Sequence, residues 1–241
     1  MKRVFVSIGG GELRNKTTAP IDGYIASLAK SRITDGRRGY ALFFPTASHD
    51  SNPYFNSFRK TYTSLFDMKS DVAILTKGLM TLEHVAEKIA KADVIYVGGG
   101  DTLYLMQVWR ETGVDKLVWE AYRRGAILAG LSAGAILWFE NIYTDSLVEG
   151  EYMPYKGLGL LKGAATPHYN SRTEFDQVAK EQGYSLSYAI EDDAAILFED
   201  ESPVGALSAG GSAYRLTLDG GEIKKESLHV LKLSDPLSDL C

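Results

Sequence analysis

The chain has 241 residues, of which 45% are hydrophobic and 24% charged, and its formal net charge is −5 at neutral pH. This balance excludes a largely disordered chain, because enough apolar surface is present to offset the entropy lost on ordering. It also gives no sign of the basic face that general nucleic-acid binders carry. The single cysteine, Cys241, excludes an internal disulfide and a cysteine nucleophile within the fold, and favours a reducing compartment.

No apolar stretch approaches the roughly 18 residues that a membrane span requires. The apolar run at the start of the sequence is too short for the core of a signal peptide. We therefore expect a cytoplasmic protein with no membrane partner, folded as one domain over residues 1–241.

Short apolar runs alternate with helical patterns through the first half of the chain. Each run is nearly continuous in hydrophobicity, which is typical of parallel strands covered on both faces by helices. The predicted strands cover residues 4–8, 40–44, 72–75, 94–97 and 126–131, and the predicted helices cover 21–30, 53–66, 81–91, 102–112 and 115–124.

The pattern changes beyond residue 140. Residues 142–163 predict a loop with turns, and a short strand and a helix are expected at 164–166 and 170–182. Short strands then follow one another, which indicates antiparallel pairing that completes the same domain. These strands cover 186–190, 194–198, 204–207, 213–218 and 228–233. The predicted fold class is α/β, a three-layer and mostly parallel sheet flanked by helices, with antiparallel strands at the C-terminal end.

A nucleophile motif follows the fifth predicted strand. Sites in open parallel sheets form beyond the carboxyl ends of strands, and residues 130–134, Gly-Leu-Ser-Ala-Gly, match the G-x-S-x-G elbow at such a position. The glycines permit the sharp turn that lifts a serine hydroxyl above the sheet. We predict Ser132 as a nucleophile; the alternative is a plain glycine-rich turn.

A serine nucleophile needs a base. His168 follows a short apolar run, precedes a predicted helix and comes after the elbow in the chain, so it is the favoured base. His49 follows the second predicted strand and is a weaker candidate. His84 is interpreted as an exposed helix residue, and His229 as a residue of the last predicted strand.

A third group should orient the imidazole and stabilise its charged form. The acidic turn Glu191-Asp192-Asp193 follows a predicted strand and could supply that group, and Asp145 is a further candidate. The alternative interpretation is a solvated acidic turn. Geometry from the residues alone leaves these candidates open.

Two glycine runs also follow strands. The backbone N–H of Ala133 is well placed in an elbow to stabilise an oxyanion, and the run at 98–100 could supply a second donor. Neither this run nor the one at 9–11 fits a dinucleotide-binding pattern, because Leu103 and Arg14 stand where the third glycine is required.

Taken together, four motifs resemble the peptidase E family of serine peptidases. They are Gly-Gly-Gly-Asp-Thr at 98–102, Gly-Leu-Ser-Ala-Gly-Ala at 130–135, Pro-His-Tyr at 167–169 and the acidic turn at 191–193. The resemblance covers about residues 4–218. That family includes aspartyl dipeptidases and cyanophycinases, and its fold is similar to class I glutamine amidotransferases, with serine in place of the cysteine nucleophile.

The resemblance implies a role for each matching residue. Ser132 would be the nucleophile and His168 the base, with Ala133 and Gly100 as the oxyanion donors. Asp192 would complete the triad where the family commonly has glutamate. Arg172, four residues after His168, matches a basic position of relatives and would bind an acidic group of the substrate. The implied partner is a small peptide substrate, and no cofactor or metal is expected.

Two other functions remain open at this point. An esterase of the α/β-hydrolase type would use Ser132, an acid near 192–200 and His229 in that order. It would require His229 in a loop and an upstream oxyanion motif that the sequence lacks. The second alternative is a non-catalytic domain that binds a small molecule on the same scaffold, since the fold alone permits it.

Overall fold

A computed structural model describes residues 2–148 and 150–233. Cys241 therefore lies outside the described residues. Within these ranges the chain forms two sheets, one of seven strands and one of six. The first sheet carries most of the predicted parallel strands.

The first sheet is parallel at its centre. Its order is β11-β10-β1-β5-β4-β2-β3; the five strands β1 to β5 are parallel, and β10 and β11 are antiparallel additions at one edge. The strands β1, β2, β4 and β5 are buried along their whole length, which explains their continuous apolar sequences. The bounds are β1 Val4–Ile8, β2 Tyr40–Phe44, β3 Lys69–Val72, β4 Val94–Val97, β5 Ile127–Leu131, β10 Ala194–Glu199 and β11 Ser202–Ser208.

Helices cover both faces of this sheet. The helix α2 continues directly into a π-helical segment, Lys60–Leu65. Side-chain caps start three of the described helices: Ser51, Thr81 and Asp101 accept hydrogen bonds from the N–H groups of Tyr54, His84 and Tyr104. The bounds are α1 Ala19–Ser31, α2 Asn52–Arg59, α3 Leu82–Lys91, α4 Thr102–Thr112, α5 Val114–Arg124 and the short α6 Ala133–Ile136.

The second sheet has the order β13-β12-β9-β8-β6-β7. Strands β6, β8 and β9 run parallel, and the outer strands pair antiparallel. A seventh helix, α7 Phe175–Glu181, connects β8 to β9. The strand bounds are β6 Phe139–Val148, β7 Glu151–Lys156, β8 Leu161–Thr166, β9 Leu186–Ile190, β12 Ala213–Asp219 and β13 Glu222–Ser227.

An aromatic layer joins the two sheets. Phe5 and Phe198 of the first sheet pack against Trp138, Phe139 and Tyr188, with ring centroids 6.2 Å apart for Phe5 and Trp138 and 5.4 Å for Phe198 and Tyr188. All five are buried. Aromatic pairs at such spacings add to the hydrophobic gain of burial, so the second sheet is held firmly against one face of the first. Helices α1 and α2 cover the opposite face.

The fold class is confirmed, but several element predictions were wrong. Residues 142–163 were predicted as a loop, whereas most of them form the hairpin of β6 and β7 and the start of β8. Pro154 lies inside β7, where it is tolerated because β7 is an edge strand. The third strand begins three residues earlier than predicted, at Lys69.

The C-terminal strands also differ from the prediction. Residues 228–233 form no strand beyond a single bridge between Val230 and Ala206, and the charged segment Glu222–Ser227 pairs instead. The antiparallel strands are divided between the sheets: β10 and β11 join the first, whereas β12 and β13 join the second. The helix expected at 170–182 is shorter and is preceded by a 3₁₀ turn, Tyr169–Ser171.

Candidate active site

Ser132 sits on a sharp turn between β5 and α6. Its backbone has φ +54° and ψ −111°, a region that non-glycine residues rarely adopt and that is typical of functional strain. Its N–H donates to Ile8 O at 2.9 Å. A Cβ on Gly130 would overlap Gly134 O, and one on Gly134 would overlap Val97 O. Both glycines of the motif are therefore required by close backbone approaches.

The structure brings the three predicted triad residues together. Ser132 Oγ lies 2.8 Å from His168 Nε2, and His168 Nδ1 lies 2.5 Å from Asp192 Oδ1. The serine hydroxyl can donate to Nε2 while the Nδ1–H donates to the carboxylate. In this arrangement the imidazole can accept the serine proton, and the carboxylate stabilises the imidazolium that results.

The glycine run after β1 supports the other two members of the triad. His168 N–H donates to Gly9 O, and Asp193 N–H donates to Gly10 O, both at 3.1 Å. A Cβ on Gly10 would overlap Asp192 Oδ1 and the His168 ring. The sequence only excludes a dinucleotide-binding role for this run, and nothing in it indicates that Gly10 makes room for the triad.

Asn170 is a second residue that the sequence analysis missed. Its side-chain NH₂ donates to Asp192 Oδ2, and its side-chain oxygen accepts from Asp192 N–H, both at 3.0 Å. The carboxylate of Asp192 is thus held at both oxygens, by Asn170 and by His168. The position two residues after the histidine is the only signal in the sequence, and no motif marks it.

The competing acids and bases lie elsewhere. Glu191 accepts hydrogen bonds from Ser212 N–H at 2.8 Å and from the Tyr214 hydroxyl at 3.3 Å. Asp145 makes no side-chain hydrogen bond to any described residue, and the exposed His49 packs its ring 4.2 Å from that of Tyr104. These candidates do not contact His168.

The remaining two histidines are exposed. His84 lies in the first turn of α3, as predicted. His229 lies in irregular chain rather than in the predicted strand, and its carbonyl accepts from Ala206 N–H. His229 thus has the loop position that the esterase alternative requires. The imidazole that forms a hydrogen bond with Ser132 Oγ, however, is that of His168.

The loop after β4 passes beside the nucleophile. A Cβ on Gly99 would come within 3.2 Å of Ser132 Cβ, and one on Gly100 would overlap Ala47 O. Gly99 N–H donates to the Tyr54 hydroxyl at 3.1 Å, and burial raises the pKa of that phenol to about 12. Neither Gly100 N–H nor Ala133 N–H donates to another described residue. The role of these two N–H groups as oxyanion donors stays a prediction.

Arg172 is buried, with 8% of its surface exposed, and so is not the solvated residue that a helix start would suggest. Its guanidinium carbon lies 4.0 Å from the centre of the Tyr152 ring on β7, and its buried Nε has no hydrogen-bond partner among the described residues. It forms no ion pair with a described carboxylate. A buried cation without an acidic partner is costly, which favours a role toward an anionic ligand.

Among residues 2–148 and 150–233, no group of three or more histidine, cysteine, aspartate or glutamate side chains is arranged to hold a metal ion. The helices in the same ranges are too short or too polar to cross a membrane.

Comparison with known proteins identifies the family. The profile of peptidase family S51 matches residues 5–204. The chain belongs to this family. YgaJ, an uncharacterized peptidase of Bacillus subtilis strain 168, is 33% identical over 236 residues, which cover 95% of this chain and 98% of that protein. Peptidase E of Salmonella arizonae is 29% identical over 142 residues, or 57% of this chain and 58% of the relative.

A solved structure shows the same fold. The crystal structure of a peptidase from an acI-B1 Actinobacterium has a TM-score of 0.68 and 19% identity, and the match covers 94% of this chain and 96% of that one. Membership of family S51 confirms the resemblance to the peptidase E family and the prediction of a serine peptidase.

Proposed function

We propose that this family S51 protein hydrolyses short peptides with Ser132 as nucleophile, His168 as base and Asp192 as orienting acid. The observation that carries the proposal is the continuous chain of hydrogen bonds from Ser132 Oγ through the imidazole to the Asp192 carboxylate. Such a chain activates a hydroxyl that is otherwise a weak nucleophile.

Each step of peptide hydrolysis has a residue that performs it. His168 Nε2 accepts the proton as Ser132 Oγ attacks the carbonyl carbon, and the N–H groups of Gly100 and Ala133 donate to the oxyanion that forms. The imidazolium then protonates the amine as the peptide bond breaks. Water, deprotonated by the same imidazole, releases the acyl group and restores the Ser132 hydroxyl.

Arg172 is the basis for a preference for acidic peptides. A guanidinium pairs with a carboxylate through two parallel hydrogen bonds, and Arg172 is a buried residue whose Nε has no hydrogen-bond partner among the described residues. We place the carboxylate on the acyl side of the cleaved bond, as in the release of an N-terminal aspartate, because Arg172 follows the base by one short turn.

The Ser132→Ala variant tests the nucleophile. Turnover in a dipeptide-library screen should fall by roughly 10⁴ to 10⁶-fold, and labelling by a fluorophosphonate should disappear, while circular dichroism stays that of the wild type. A folded variant that keeps more than about a tenth of the activity contradicts the assignment. The pair His168→Ala and His229→Ala separates the triad from the esterase alternative, since only the first should lose activity.

The Arg172→Gln variant tests the preference for acidic substrates. The wild type should cleave aspartyl dipeptides with a higher kcat/KM than leucyl ones, and the variant should lose about tenfold or more on the aspartyl substrates alone, because a charge-assisted pair is removed. Equal kinetics on both substrate classes in the wild type would refute the role of Arg172.

A further inference from the structure

One cavity of the protein has no role in the proposed mechanism. It has a volume of about 390 Å³ and opens between the loop that follows β1 and the helix α2 with its π-helical continuation. Three exposed cations line it, Arg14, Lys16 and Lys60, together with Leu13 and Pro53. None of its described lining residues is acidic. We refer to Arg14, Lys16 and Lys60 as the cationic pocket.

The cationic pocket lies at the same edge of the first sheet as Ser132. Its first wall continues the glycine run 9–11, whose carbonyls hold the His168 and Asp192 segments. Its second wall begins at Pro53, next to Tyr54, whose hydroxyl binds the Gly99 amide beside the nucleophile. Each wall is therefore next in sequence to residues that form hydrogen bonds with the segments carrying the triad or the loop beside Ser132.

The pocket and Arg172 lie on opposite faces of the first sheet. The walls of the pocket belong to the face of the first sheet that α1 and α2 cover. Arg172 instead packs on Tyr152 of β7, in the sheet that lies against the other face. A peptide with its reacting carbonyl at Ser132 could thus present one end to each of the two positive sites.

The charges of the pocket are unpaired within the described structure. None of the three cations forms an ion pair with a described carboxylate. Glu12, the acid nearest in sequence, accepts a hydrogen bond from Asn15 instead. In a protein of net charge −5, such a local excess of positive charge attracts anions selectively.

We propose that the cationic pocket binds the free C-terminal carboxylate of the peptide, on the leaving-group side of the bond cleaved at Ser132. The proposal rests on the proposed peptidase function. Arginine and lysine supply charge-assisted hydrogen bonds to the carboxylate, and the exposed ring of Pro53 supplies apolar surface for the side chain of the last residue. The pocket would select short free peptides over the interior of long chains.

The test compares a free peptide with its amide. The probe is the dipeptide that the wild type cleaves fastest in the screen, together with the same dipeptide as a C-terminal amide. In the wild type the amide should have a KM about tenfold or more higher, because a charge-assisted contact is lost. The triple variant Arg14→Gln, Lys16→Gln, Lys60→Gln should raise the KM of the free acid to that of the amide and leave the amide's kinetics unchanged.

A control variant removes one positive charge elsewhere on the surface. Lys116 is exposed on α5 and forms no ion pair with a described residue, so Lys116→Gln should leave both substrates unaffected. Equal KM values of acid and amide in the wild type, or discrimination that survives in the triple variant, would overturn the inference. So would a protein that labels at Ser132 but hydrolyses no free dipeptide or tripeptide, whereas failure to label at Ser132 would refute the peptidase mechanism itself.

Discussion

At the scale of single residues, Asn170 is the positioning residue of the proposed triad. It donates to the Asp192 carboxylate and accepts from the Asp192 backbone, so it fixes both the side chain and the turn that carries it. Aspartate is one methylene shorter than glutamate, and the clamp holds the shorter side chain within reach of His168 Nδ1.

The Asn170→Ala and Asn170→Asp variants should therefore lower kcat while KM stays close to that of the wild type. We expect a loss of about tenfold to a hundredfold, the value of one hydrogen bond to a charged group, and a larger loss for the aspartate because it places a like charge beside Asp192. Steady-state kinetics across pH 5 to 9 measure kcat and KM of both variants. Asn141→Ala, which removes an amide that binds Lys156, is the control; a parallel rise in KM in the Asn170 variants would point to general disruption instead.

At the scale of elements, a hydrogen bond connects α2 to the loop that follows β4. Tyr54 lies in the first turn of α2, packs its ring 5.0 Å from that of Phe43 and accepts the Gly99 N–H. Gly99 in turn lies against Ser132 and precedes the proposed donor Gly100. The helix thus reaches the oxyanion site through one phenol oxygen.

Replacing Tyr54 with phenylalanine removes that acceptor and leaves an interior N–H unsatisfied. We expect kcat and the rate of fluorophosphonate labelling to fall about tenfold and the free energy of unfolding to drop by about 1–3 kcal/mol. Tyr24→Phe on α1, whose hydroxyl binds no described residue, should change neither quantity. Unchanged labelling in Tyr54→Phe would show that the loop keeps its position without the helix.

The accuracy of the sequence predictions follows the position of each element in its sheet. The buried strands β1, β2, β4 and β5 were predicted because burial on both faces leaves only apolar residues. Three of the four edge strands, β3, β7 and β13, were misplaced or missed, as was β6 beside β7, because they are partly or largely exposed and are fixed by the backbone of a neighbouring strand. That neighbour is known only once the chain has folded.

The same distinction applies to the site. Ser132 carries a motif, and His168 and Asp192 stand where a family resemblance places them. Asn170 and Gly10 carry no such mark, because each acts through a contact with Asp192, 22 residues from Asn170 along the chain. Local sequence signals do not encode contacts between segments that meet only in the folded protein.

At the scale of the whole molecule, one buried carboxyl makes folding sensitive to pH. Asp22 on α1 is inaccessible to solvent, and burial raises its pKa to about 7, although the hydroxyls of Thr18 and Tyr62 donate to its two oxygens. An unfolded aspartate titrates near pH 4. Between about pH 4 and 7 the folded state therefore holds a proton that the unfolded state has lost.

This difference lowers stability as pH rises through that window, because the state that binds more protons is favoured at low pH. The contribution of Asp22 is complete below about pH 4 and lost above about pH 7, and amounts to about 4 kcal/mol at most. Denaturant unfolding of the wild type and Asp22→Asn at pH 4.5 and 7.5 measures it as the difference between the two proteins. The amide variant should gain stability relative to the wild type as pH rises; a constant difference would show that Asp22 does not titrate in this range.

The proposed triad is divided between the two sheets. Ser132 follows β5 of the first sheet, whereas His168 and Asp192 follow β8 and β9 of the second. The hydrogen bond from Ser132 Oγ to His168 Nε2 therefore connects the two sheets. A displacement of the catalytic groups by about 1 Å lowers the rate on the order of 100-fold. The turnover rate therefore depends on how closely the two sheets pack together. A compound that binds in the aromatic layer between the two sheets would therefore inhibit the enzyme without occupying the site where the peptide is proposed to bind.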